Sequence, residues 1–123
     1  MPRKPDRLNI LKKMKINLPV TQKEKPFTQG TIVTKTDLKG VITYANDAFV
    51  DMSGFDREEL IGSSQNIVRH PDMPPGAFAD MWRTLKNGDT WKGIVKNRCK
   101  NGDHYWVNAF IVPVKHDGQT VGY

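Results

Sequence analysis

With 123 residues, 37% hydrophobic and 26% charged, the chain reads as one soluble globular domain with polar ends, large enough for a core and too small for two. It carries no apolar run of membrane-spanning length and no visible signal peptide. Its lone cysteine, Cys99, excludes an internal disulfide framework and fits a reducing compartment.

The net charge of +6 is concentrated ahead of Phe27, where Arg3, Lys4, Arg7, Lys12, Lys13, Lys15, Lys23 and Lys25 are opposed only by Asp6 and Glu24. The remainder is close to neutral. A basic tail can touch phosphates or an anionic membrane surface, but it does not make the domain a nucleic-acid reader, and no helix-turn-helix signature or zinc spacing supports one.

Residues 1–30 form a basic lead-in. Leu8, Leu11 and, more weakly, Ile10 and Met14 have helical spacing that Pro19 stops, so this part is expected as a short helix or a partly disordered arm. The domain proper is expected over 31–123. Thr31 to Thr36 is β-rich, Asp37 to Gly40 reads as a turn, and Val41 to Tyr44 returns as a second strand. Asn46 or Asp47 can cap a short helix, Ala48 to Ser53, closed by Gly54. Asp56-Arg57-Glu58-Glu59 resembles a capping box, closed by Gly62.

The stretch Asn66 to Pro74 comes next. Its prolines fix φ and remove backbone donors, which sets Arg69, His70 and Asp72 on stiff, non-helical backbone, and Asp72 is placed to cap the following helix. Such a segment suits an anionic, hydrogen-bonding ligand; the alternative is a solvated loop with a stiffened cap. Phe78, Met81, Trp82 and Leu85 then form one apolar helical stripe that ends at Asn87-Gly88.

In the strand from Thr90 to Cys99, Trp91, Gly93, Val95 and Asn97 share one face, with Lys92, Ile94, Lys96 and Arg98 on the other. After the turn at Lys100-Asn101-Gly102-Asp103, Tyr105, Val107, Ala109 and Ile111 form the more apolar parity; Trp106 and Phe110 belong to the mixed one. If Asn97 and Val107 face the same core, the hairpin loop has an odd number of residues. A two-residue Asn-Gly turn would instead set Asn97 beside Trp106. The odd loop is expected. A last strand begins near Gln119. The order implies an α+β fold, an antiparallel sheet with helices on one face.

Thr43-Tyr44-Ala45-Asn46-Asp47-Ala48-Phe49 and Ser53-Gly54-Phe55, after two strands and a turn, resemble a PAS sensory domain. The resemblance narrows with Asn66 to Pro74, Ala77 to Trp82, Val95 to Arg98 and Lys100 to Val107. These blocks, together with Pro19-Val20-Thr21-Gln22, look like the PAS domain of bacterial aerotaxis receptors over roughly residues 18–123. The resemblance implies FAD held non-covalently between sheet and helices, and a redox state reported to a chemotaxis signalling module of the same receptor. It implies a homo-oligomer at the cytoplasmic face of the inner membrane, anchored through segments outside this chain. By motif match Arg69, His70 and Asp72 carry over as FAD-binding residues, with Trp82, Trp91, Asn97 and Asn46 beside them. The chain departs from the pattern at Cys99, where arginine is usual, and in the extra basic residues before Asn17.

The chemistry of these residue types agrees with a flavin. A flat apolar ring system with a polar edge wants aromatic walls and a carboxamide that both donates and accepts. Trp82 and Trp91 can be walls, or simply core. Asn97 on a core-facing parity needs a partner, since an unpaired buried amide costs on the order of 1–3 kcal/mol. Arg69 suits a pyrophosphate. Haem ligation by His70 and a ligand-free interaction module remain alternatives. A flavin–cysteinyl light adduct is disfavoured, because no cysteine lies near Gln65. His70, His104 and His116 are scattered and make no metal site, and no serine or cysteine shows a nucleophile's partners. The reading is a redox sensor rather than an enzyme.

Overall fold

The computed structural model describes residues 20–26 and 30–123; the helix expected near Leu8 lies outside them. Strands β1 (Thr34–Thr36) and β2 (Ile42–Ala45) pair antiparallel. The turn between them is built by the Asp37 carboxylate, which accepts from the N–H groups of Lys39 and Val41. β1 starts three residues later than the β-rich run at Thr31 predicts. The Asn46 side chain claims the backbone there, donating to the Thr31 carbonyl and accepting from the Val33 N–H.

The same Asn46 caps helix α1 (Asp47–Ser53), which Gly54 ends in the left-handed conformation. In α2 (Arg57–Leu60) the Glu59 carboxylate accepts from the Asp56 N–H, the expected capping box. A 3-10 turn, Gln65–Val68, follows. These short elements lay Phe49, Phe55, Leu60, Ile67 and Val68 on Ile42 and Ala45, all nearly without solvent contact. Each large side chain so buried contributes about 1.5–3 kcal/mol. The dense core therefore lies beneath β2.

Helix α3 (Pro75–Lys86) carries the predicted stripe, with Leu85 buried and Asn87 at its C-terminal cap. Asp72 does not cap it. The helix begins only after Pro74, too far along for that carboxylate to reach its free N–H groups, and Asp72 is bonded instead to Lys96 Nζ at 2.8 Å. Pro75 in the first turn supplies helical φ without a capping side chain.

Strands β3 (Trp91–Arg98) and β4 (His104–Ile111) pair in unbroken antiparallel register, with Asn97 opposite Tyr105 and Val95 opposite Val107. The loop from Cys99 to Asp103 has five residues, the odd number the parity argument requires. Trp106 and Phe110 turn outward with Ile94, and Ile94 and Phe110 are 67% and 65% exposed. Arg98, expected on that open face, is fully buried. The hairpin end of the face is covered: segment 20–26 runs beside β4, with the Lys25 N–H donating to the His104 carbonyl and the His104 N–H to the Lys23 carbonyl. His70 also comes against this corner, its ring centroid 6.1 Å from that of His104.

The expected last strand is half of a hairpin, β5 (Val114–His116) and β6 (Gln119–Gly122). Pro113 lacks a ladder donor and separates β5 from β4. β6 then meets β1. The Thr36 N–H donates to the Tyr123 carbonyl at 2.8 Å and the Tyr123 N–H returns to the Thr36 carbonyl at 3.0 Å. A Cβ on Gly122 would stand 2.2 Å from that carbonyl oxygen, so only glycine permits the approach. The result is the expected α+β arrangement, built of three antiparallel strand pairs, β1–β2, β3–β4 and β5–β6, the first and last joined by a bridge between Asp37 and Gly122.

Candidate ligand-binding site

The second half of the domain is packed differently from the first. Trp91, Gly93, Val95, Asn97, Val107, Ala109 and Ile111 on the inner face of β3–β4 are all only half-buried, as are Phe78, Met81 and Trp82 on α3. Helix and hairpin touch through side-chain tips. Trp91 Nε1 donates to an Asp80 carboxylate oxygen at 3.2 Å, and the Arg69 guanidinium lies 4.4 Å from the Phe78 ring centroid. The seam between α3 and the inner face of β3–β4 is thus less tightly closed than the core beneath β2.

Gly93 shapes one end of it. A Cβ there would fall 2.5 Å from the Trp91 ring, so the indole lies flat across the strand at the place where a side chain is missing. At the other end Asn97 and Tyr105 stand opposite each other. The Tyr105 hydroxyl is buried without a hydrogen bond of ordinary geometry. Burial pushes the phenol far above its usual range, with the Asn97 carboxamide working weakly the other way. Tyr105 is fully buried and packs with Met52 and Cys99, so its ring closes this end of the seam beside Asn97. Arg69 reaches the cleft from the side, since its backbone bridges to Asn97 along the free edge of β3.

The residues singled out in the sequence therefore separate. Arg69, Trp91 and Asn97 gather on the cleft. The Trp82 ring turns toward Tyr123, 5.3 Å between centroids, and onto Gly40, and it lines a shallow groove of about 290 Å³ with Lys86 and Asn66. Asn46 belongs to the scaffold, its carboxamide engaged with Thr31, Val33 and Phe49. His70 and Asp72 sit on the other side of β3, among Lys96, Arg98 and His104. Lys96 holds the Asp72 carboxyl below its usual range. Burial, and then Lys96, lowers the His70 pKa. His70 Nδ1 accepts from the Asp72 N–H at 3.0 Å, and the ring is 1% exposed, so it is not presented to the cleft.

Phe78 lies under the Arg69 guanidinium and Tyr105 opposite Asn97, neither of them among the residues the sequence singles out for a cofactor. The signal for Tyr105 was present, because the odd-loop register sets it opposite Asn97.

Residues 42–123 match the PAS fold family. The chain belongs to that family. It is 56% identical to the aerotaxis receptor of Escherichia coli over 105 residues, which is 85% of this chain and 21% of the receptor. A PAS domain from Colwellia psychrerythraea superposes with a TM-score of 0.65 at 26% identity, covering 74% of this chain and 77% of that one. A light-oxygen-voltage domain studied with a flavin analogue superposes with a TM-score of 0.67 at 22% identity, covering 72% and 69%. The PAS reading of the sequence and its likeness to aerotaxis receptors both hold. The chain spans about a fifth of the receptor it resembles.

Proposed function

We propose that this PAS domain is the redox-sensing part of an aerotaxis-type receptor and binds FAD in the cleft between α3 and the inner face of β3–β4. The observation that carries the reading is the half-open seam of aromatic and aliphatic side chains ending at the Asn97 carboxamide. It suits a ring system with one polar edge. The likeness to the E. coli receptor supports the same assignment.

When bound, a flavin supplies a reversible electron couple near neutral pH. The chain's own groups would do the rest. Trp91, Val95, Val107 and Phe78 exclude water and hold the ring. The Arg69 guanidinium, beside the free edge of β3, is placed for a pyrophosphate. The Asn97 carboxamide can donate or accept, so it follows a change of charge or protonation at the polar edge, with the Tyr105 hydroxyl next to it. Strand β3 joins that edge to the outer face carrying Lys92, Ile94 and Lys96, a surface that a signalling domain of the same receptor, or a second copy, can read. The domain acts as a switch, not as an enzyme. Its site of action is the cytoplasmic face of the inner membrane; among the described residues no helix is long and apolar enough to cross a membrane.

The test is an absorption spectrum of the purified protein with chromatography of the cofactor released on denaturation. Flavin bands and stoichiometric FAD are expected. A colourless protein that refuses FAD, or a Soret band, would overturn the assignment.

A further inference from the structure

We infer that His70 is a protonation-controlled latch on the loop that carries Arg69, so that acidification releases the cofactor from the cleft. The inference rests on the flavin reading for its consequence, though not for the latch itself.

His70 does not touch the cleft; its effect passes through the backbone. Nδ1 accepts the Asp72 N–H at 3.0 Å, a ring nitrogen serving as the acceptor that closes a two-residue turn. This bond exists only while Nδ1 is unprotonated, which places the proton of the neutral ring on Nε2. Pro71 stiffens the intervening backbone and supplies no N–H of its own. The neighbouring residue, Arg69, bridges to Asn97 at the free edge of β3 and lays its guanidinium on Phe78. The His70 ring bond adds to the backbone closure of the same turn, where the Met73 N–H donates to the His70 carbonyl at 3.1 Å, and so braces the loop directly beside Arg69.

The surroundings oppose a charge on this ring. It is 1% exposed and faces Lys96 and Arg98 from β3 and His104 from β4, with Asp72 as its acid. Beyond His104, Glu24 of segment 20–26 lies 3.9 Å away. The Asp72 carboxylate is 3.8 Å from Nδ1 and is already bonded to Lys96 at 2.8 Å. A proton on Nδ1 would point at the Asp72 N–H, donor against donor. Relief requires the N–H to leave and the carboxylate to swing in from Lys96, or the ring to turn. Each route moves residue 72 and, through two stiff residues, Arg69. Burial first, then the charges of Lys96 and Arg98, explain why the imidazole resists protonation until below its ordinary range.

Two measurements test the latch. FAD retention after gel filtration is followed from about pH 8 to about pH 5 in the wild type, in His70→Asn and in His70→Leu. Asparagine keeps an acceptor oxygen where Nδ1 stands and cannot be protonated. The wild type is expected to lose about tenfold in affinity per pH unit once below the folded-state pKa. His70→Asn should bind at neutral pH and stay flat on acidification, and His70→Leu should bind poorly throughout. Wild-type retention that stays flat, or the same acid loss in His70→Asn, would overturn the proposal. The second measurement uses the protein without flavin: ¹⁵N imidazole shifts of His70 and the amide shift of Asp72 across the same range. Both should titrate together, starting from the Nε2–H tautomer. An Asp72 amide indifferent to the His70 titration sinks the latch even if His70→Asn fails to fold. Failure to take up FAD at any pH with intact coupled titration removes the flavin reading and leaves the latch standing.

Discussion

Arg69 and Asn97 meet at the free edge of β3 yet do different work. Arg69 lies against Phe78 with its charge unopposed by any described ion pair. Arg69→Ala should leave a folded domain whose FAD affinity falls tenfold or more, since a charge-assisted hydrogen bond contributes about 1.5–3 kcal/mol. Equilibrium dialysis against FAD beside a thermal melt checks this. Asn97→Asp keeps the size and removes the ability to donate once ionised. It should weaken flavin binding and shift the reduction potential to lower values, because a fixed negative charge opposes added electrons. Spectroelectrochemical titration measures the shift, and a potential equal to the wild type would place the polar contact elsewhere. Gly93→Ala tests the aromatic wall. Its Cβ would press on the Trp91 ring at 2.5 Å, so the indole must leave its bond to Asp80. A loss of about 1–3 kcal/mol is expected, seen as a lower Tm and a red-shifted tryptophan fluorescence.

Among the elements, β6 is the piece that joins the two halves. It continues past the β5 turn to exchange a pair of backbone hydrogen bonds with β1, and Gly122 permits it. Because the clash in Gly122→Ala would be with backbone rather than with a movable side chain, we expect a loss of about 3 kcal/mol, read as a lower midpoint in urea. The cleft should loosen with it, since Tyr123, next in the chain, packs edge-on against Trp82 of α3. The helices on the other side of the molecule are fixed by local chemistry: Asn46 ties α1 to the β1 approach, and Lys25 Nζ donates to the Asp51 and Met52 carbonyls at the C-terminal end of α1.

The whole molecule presents a filled half, a half-open half and an outer sheet face on which Ile94, Trp106 and Phe110 stand in water among Lys92 and Lys96. Three large apolar side chains share this exposed face, which the proposed reading assigns to a signalling contact. Phe110→Ser should change stability by less than about 0.5 kcal/mol and leave the flavin untouched, yet alter signalling when the domain is carried in a full receptor. Acid stability has a defined sign. The His70 pKa is lowered in the folded state, so its contribution is complete above the ordinary imidazole value of about 6.5 and is lost as pH falls from there through the folded value. Glu59, Asp72 and Asp80 are lowered as well, and their contributions are present above ordinary carboxylate values and disappear below them. Thermal melts should therefore fall in two stages, and His70→Asn should remove the earlier one.

Local signals determined much of this protein without help. Asn46 and Gly54 delimit α1, the capping box sets α2, the Phe78–Leu85 stripe marks α3, and alternation with an odd loop fixes the β3–β4 register. Each depends on neighbours within a few residues, which is what a sequence records. The shared face of Trp91 and Asn97 was legible for the same reason, since parity alone sets it. Tertiary structure decided the rest. The β1 approach lost its ladder to the Asn46 side chain, Asp72 took Lys96 from 24 residues away in place of a cap, and Arg98 was covered at the corner where segment 20–26 and His70 arrive. His70 and Arg69 are adjacent in sequence and part on opposite sides of β3. Which side each takes depends on the bridge between Arg69 and Asn97, a contact made only when the loop reaches the strand edge.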